Sequence, residues 1–238
     1  MQQFYAICKK EIFSYFNSPL AYIFTVIFLI VGNWLFFQSF FLYNQASMRS
    51  YFDLIPWIFL FITPALTMRL WAEEKKSGTM EILLTFPVKD VTVALAKFFS
   101  SLAFLTIVLL LSISLPLTIA FLGNLDIGVI IGGYLGALFL GAIYLSIGLF
   151  LSSLTKNQIV AFLLAAVSCF VLFIISTPFV LQAVSWLAPI LKVIGSASHF
   201  QNLSRGLLDT RDILYFLSVT ALFLYLNYQV LASRNWKA

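Results

Sequence analysis

Residues 127–155 read IGVIIGGYLGALFLGAIYLSIGLFLSSLT, twenty-nine positions without one Asp, Glu, Lys or Arg. A single such charge at the centre of a spanning helix costs about 2.5–3.5 kcal/mol on the insertion scale. A protein folded in water has no reason to exclude charge from so long a window; a membrane protein has to. Five further blocks share the property: Ile12–Met48, Leu54–Met68, Phe98–Leu125, Asn157–Leu191 and Ile213–Ser233. Nearly all the charge lies in the short gaps between them.

Composition agrees. Hydrophobic residues make up 62% of the 238 positions and charged residues 10%, against about 45–50% and about 25% in soluble domains. Mean hydropathy is +1.01. Six spans of about 20 residues would use half the chain, so the expectation is one all-α integral membrane domain over residues 1–238. The spans are expected at about 20–43, 54–70, 98–122, 128–152, 158–179 and 213–231. An ATPase, sensor or binding domain would then sit on another polypeptide. The first block is too long for a cleaved signal peptide and is expected to stay as a membrane helix. The scattered net charge of +5 suits anionic headgroups better than nucleic acid, which wants a concentrated basic face. Cys8 and Cys169 lie far apart in character, one polar and one apolar in surroundings, so neither a disulfide nor a metal framework is expected.

Ahead of the first span, Phe4, Cys8, Ile12 and Phe16 recur every fourth residue, while Lys10 and Ser14 fall elsewhere. This predicts an amphipathic helix lying in the interface with its apolar side in lipid; a cytoplasmic tail is the plainer alternative. The second block is the shortest, holds Pro56 and Pro64, and competes with a re-entrant loop. Trp57 and Trp71 are expected at its two interfaces. In the fourth span Gly128, Gly132 and Gly136 form a small-residue ridge for close helix packing, within the bundle or between subunits. Val180–Thr210, broken by Pro189, Gly195 and Gly206, reads as short external helices dipping back into the outer leaflet. Asp212 is expected to cap the last span. With both termini cytoplasmic, ten of the fourteen Lys and Arg fall on that side, the asymmetry expected of a multi-pass protein.

The gap between spans two and three carries the chemistry. Nine of the twenty-three charged residues fall between Arg69 and Lys97. Ser77-Gly78 predicts a helix stop, Thr79 a cap for a short amphipathic helix with Glu81 in its first turn, and Pro87 its end. Asp90 is expected to cap the third span. A charged, amphipathic segment held between two spans suits docking of a soluble partner; a solvated loop is the alternative, though topology alone needs no acids.

Glu73-Glu74-Lys75-Lys76-Ser77-Gly78-Thr79-Met80-Glu81-Ile82-Leu83-Leu84 with Pro87-Val88 resembles the cytoplasmic motif of ABC-2 type permeases, membrane subunits of ATP-binding-cassette transporters. Lys10-Glu11-Ile12, Tyr15 to Tyr22, and Arg205 to Asp212 extend the likeness. They resemble the permease of gliding-motility-associated transporters. The resemblance implies six spans, an elbow helix, a coupling helix and external helices before the last span. It also implies export across a bacterial inner membrane, a second permease subunit, identical or related, and two ATPase subunits. By that likeness Glu73, Glu74, Gly78, Thr79 and Glu81 form the ATPase-facing coupling segment.

No Gly is followed by Lys, so no P-loop exists, and ATP hydrolysis belongs to a partner. No cofactor, metal or catalytic residue is expected; His199 reads as structural. The rival is a membrane-embedded hydrolase or lipid-modifying transferase using Arg205, Asp209 and Asp212. Polar groups at membrane depth would betray such an enzyme, and the blocks hold no acid, base or His dyad. Arg205 with Asp209 at i, i+4 reads instead as a structural ion pair tying down the external segment, and Arg211 and Asp212 are grouped with it as structural. A channel filter has no signal either. Twenty-six Phe suit an amphipathic cargo or lipid-facing walls.

Overall fold

The computed structural model describes residues 2–43, 47–80, 89–121, 123 and 125–233. Among them lie eleven helices and no strand. They are α1 (Gln2–Phe16), α2 (Pro19–Tyr43), α3 (Arg49–Ser77), α4 (Asp90–Leu111), α5 (Ser114–Ala120) and α6 (Ile127–Leu154), then α7 (Gln158–Ile174), α8 (Pro178–Ala183), α9 (Ala188–Ile194), α10 (Ser196–Ser204) and α11 (Thr210–Ala232). Among the described residues, five stretches are long and apolar enough to cross a membrane: Pro19–Gln38, Arg49–Ser77, Asp90–Ala120, Ile127–Leu154 and Thr210–Ala232. α7 is apolar but has 17 residues, about 26 Å at 1.5 Å per residue.

Two helices form the centre. The most apolar windows of α3 and α6 are each 67% buried, against 22% for α2 and 17% for α11, so the latter two line the outside. α6 touches α3, α4, α7, α10 and α11. Its glycines make this possible. A Cβ on Gly133 would run into the Phe52 ring of α3, one on Gly141 into Leu105 of α4, and one on Gly148 into Thr67 of α3. On Gly132 it would meet the Leu203 carbonyl of α10, and on Gly136 it would press on Leu203 Cβ at 3.1 Å. Such closeness replaces, in lipid, the hydrophobic drive that water supplies. Gly132 and Gly136 of the ridge therefore have a close neighbour within this chain. Gly128 instead donates its N–H to the Asp126 carboxylate at 3.0 Å, which caps α6 by accepting from Gly128 and Val129 N–H.

Several boundaries differ from expectation, each for a physical reason. The second span, expected over 54–70, is part of a 29-residue helix. Asp53 and Arg69 limit apolarity without breaking a helix; only Gly78, at φ 71°, ends it. Pro56 and Pro64 stay inside, and Thr63 and Thr67 donate back to the Phe59 and Thr63 carbonyls at 2.7 and 2.9 Å. The expected span 158–179 stops at Ile174 because a residue before proline is driven from the helical region. Thr177, before Pro178, is extended at ψ 149°. The expected span 98–122 starts earlier, at Asp90, and breaks at Ser112–Ile113. Asp90 does not cap it: Lys89 holds that position, without a side-chain bond, and Asp90 lies in the first turn. There its charge still complements the helix dipole.

Candidate functional site

The apolar stripe of α1 packs against α4, not against open lipid as expected. Phe4 meets Phe99 edge-on at 6.1 Å, and Phe16 meets Phe104 at 5.9 Å. The Cys8 thiol donates to the Ala96 carbonyl at 3.4 Å. One residue round the helix, Tyr15 stacks on Phe104 at 5.2 Å, and its hydroxyl shares a 2.9 Å bond with Ser101. Tyr5 and Phe13 are the large apolar side chains of α1 left exposed. Burial, then the Glu11 carboxylate, push the Cys8 thiol above its ordinary value. Burial likewise pushes the Tyr15 phenol far up.

This packing sets up an ion-pair centre. Lys97 of α4 is 1% exposed, and its ammonium donates to Glu11 Oε1 of α1 at 3.0 Å and to Glu74 Oε1 of α3 at 2.7 Å. The Trp71 ring lies 4.9 Å below it. A buried ammonium is tolerable only when its hydrogens are met by such partners. Trp71 is fully buried, so it supports this cation and does not anchor an interface as expected; Trp57 remains 46% exposed.

The same end of α3 is fastened on its other sides. Arg69 donates to Ser18 Oγ at 3.0 Å, between α1 and α2. Ser152 of α6 donates to the Met68 carbonyl and receives the Trp71 and Ala72 N–H groups. Lys75 donates to the Ser153 carbonyl. Beside this lies an open cleft of about 830 Å³, with Lys10, Glu11 and Ser14 on one wall and Arg69, Glu73 and Glu74 on the other.

Glu73, Glu74, Gly78 and Thr79 thus stand together at one helix end. Glu73 and Thr79 are exposed and Glu74 half-buried. The Thr79 hydroxyl bonds to Ser77 Oγ at 2.9 Å. Glu81, and the coupling helix expected after Thr79, lie outside the described residues. Sequence reasoning missed Glu11, Trp71 and Lys97 as partners of this end. Lys97 is the last charge before an apolar block, a visible mark, but its partners lie 86 and 23 residues away in sequence.

At the other end of the bundle, Asp212 does not cap α11. Asp209 does, accepting from Arg211 N–H. Asp212 is 3% exposed and accepts from Asn202 Nδ2 at 3.0 Å, while its other oxygen lies 2.6 Å from His199 Nδ1. His199 Nε2 donates to the Val193 carbonyl at 3.1 Å, and the ring stacks on Tyr215 at 4.0 Å. Tyr215 in turn donates to the Ile194 carbonyl. With both ring nitrogens engaged, the His199 cluster clasps α9, α10 and α11. Arg205 and Asp209 fall on either side of the helix end, where Gly206 turns at φ 82°, so the helical i, i+4 spacing expected for them does not arise. The Lys or Arg ion pairs among the described residues are the two on Lys97. No group of residues fit to hold a metal occurs among them.

Residues 5–238 match the family model described as ABC-2 family transporter protein. No curated protein matches the chain.

Proposed function

We propose, from the premise that this chain belongs to the ABC-2 transporter family, that it is an exporter permease driven by ATPase subunits on separate chains. Family membership supports the permease of an ABC transporter and speaks against an enzyme. Coupling is the finer reading. The carrying observation is the ion-pair centre in which Lys97 binds Glu11 and Glu74 at once. A force applied near residues 73–81 is passed by Glu74 to Lys97 and so to α4, and by Lys97 and Glu11 to α1. Ser152 and Lys75 carry it to α6. The charged end of α3 thereby acts as a stiff lever, and Glu73, Gly78, Thr79 and Glu81 face the ATPase.

In this reading α7 is a sixth span, short enough to thin the bilayer locally, and α1 is the elbow helix. Both termini are cytoplasmic, in a bacterial inner membrane. Two permease chains, identical or related, sit over two ATPases, and movement of the first, second and fifth spans opens the pathway between them. Association with gliding motility rests on the sequence resemblance.

Affinity capture of the tagged permease from its native host in mild detergent tests this. Co-recovery of a Walker-A-bearing protein, lost with Glu81→Arg, is the expected result. Recovery of no such protein with the unaltered chain would overturn the coupling assignment.

A further inference from the structure

At the end of the bundle opposite the Lys97 centre, α3, α7 and α10 enclose a pocket of about 370 Å³ whose rim carries Arg49, Asp53 and Arg205. All three charged side chains line the same pocket. Neither guanidinium group makes an ion pair or side-chain hydrogen bond with a described residue. Two arginines against one aspartate leave a net positive rim. Arg49 also opens α3, where the positive end of the helix dipole favours an anion.

The inner wall is aromatic. Trp57 meets Phe173 edge-on at 5.4 Å, and the pocket lies where the charge-free block from Leu54 begins. Guanidinium forks match the oxygens of phosphate, and a half-exposed tryptophan suits the headgroup level of a bilayer. A volume near the low end of ligand pockets, about 300–1,000 Å³, takes a headgroup and the start of a chain but no whole lipid. We propose that this pocket is a binding site for a phosphate-bearing group, held by Arg49 and Arg205 and entered from the membrane boundary beside Trp57. Asp53 sets the strength by opposing the ligand's charge. The proposal is independent of the coupling reading.

The purified full-length chain, titrated by native mass spectrometry, provides the test. Probes are short-chain phosphatidylglycerol, its phosphatidylcholine counterpart, and inorganic phosphate as competitor. The unaltered chain should prefer the anionic lipid. Arg49→Gln with Arg205→Gln should weaken that binding by about tenfold or more, given the strength of charge-assisted bonds. Asp53→Asn should tighten it by about threefold, a gain that misfolding could not produce. Lys192→Gln, an exposed base outside the pocket, should change nothing. Competition by free phosphate at similar concentration would make the soluble anion the source and support the site; no competition would assign it to the lipid headgroup. Binding unchanged in the double variant, or equally weakened by Lys192→Gln, would overturn it.

Discussion

Lys97 Nζ lies 2.7 Å from Glu74 Oε1, closer than its 3.0 Å to Glu11 Oε1. One cation holds two carboxylates from two other helices, so its loss would leave two negative charges facing each other. Lys97→Met should destabilise the protein by about 3–5 kcal/mol, as breaking a buried pair from one side does. Neutralising all three, with Glu11→Gln and Glu74→Gln added, should restore most of that loss. Thermal unfolding in detergent reads both. A triple variant less stable than Lys97→Met alone would contradict the charge argument.

Glu74→Gln alone keeps a hydrogen-bond acceptor but weakens the link from α3 to α4. If that link carries force, partner ATPase subunits should still bind while their hydrolysis loses its dependence on the permease. Measuring ATPase rates of the reconstituted complex against the isolated ATPase checks this. Unaltered stimulation would remove Glu74 from the transmission path.

Gly148 and Gly78 separate crowding from backbone strain. At Gly148 a Cβ runs into Thr67, whereas at Gly78 nothing lies within 4 Å. Gly148→Ala should cost about 1–3 kcal/mol by overpacking. Gly78→Ala should cost about 1–2 kcal/mol through its left-handed backbone. Gly148→Leu should worsen the first sharply, while Gly78→Asn, tolerant of that conformation, should recover much of the second. Melting temperatures of the four variants decide.

The clasp around His199 depends on Asp212. Asp212→Ala deprives His199 Nδ1 and Asn202 Nδ2 of their acceptor, a loss of about 1–3 kcal/mol for buried groups left unpaired. Limited proteolysis should then cut residues 175–209 faster, with the rest of the bundle intact. Asp209→Ala removes only a helix cap and should cost about 1 kcal/mol without that local sensitivity.

Charge exclusion made the membrane-spanning blocks readable, because a block of ionisable-free sequence has few other causes. It read the limits of the helices less well. Asp53 and Arg69 ended an apolar block but not a helix, since helix continuation depends on backbone breakers, and the first of these after Arg69 is Gly78. Asp212 and Asp209 are three residues apart and both suit a cap; burial under His199 decides between them, and burial is a tertiary property. The Lys97 centre was hidden for the same reason. Glu11, Glu74 and Lys97 each look like boundary charges until α1 folds back on α4. The glycine ridge left two packings open; Leu203, which lies against Gly132 and Gly136, is a partner for it within this chain that no sequence spacing reveals.

Cys8 offers a probe of both electrostatics and sidedness. Burial and Glu11 raise its pKa, so at neutral pH its thiolate fraction lies below that of a free cysteine, which titrates near pH 8.5. Alkylation, which needs the thiolate, should be slow at neutral pH and climb only above the free-thiol range. Glu11→Gln removes the nearby negative charge, so the midpoint should fall and the rate at neutral pH should rise. Cys169, fully buried, should stay silent in the folded protein. A membrane-impermeant reagent should label Cys8 in inverted vesicles but not in intact cells. Labelling from outside would reverse the proposed orientation, and a midpoint unmoved by Glu11→Gln would leave burial as the whole cause of the shift.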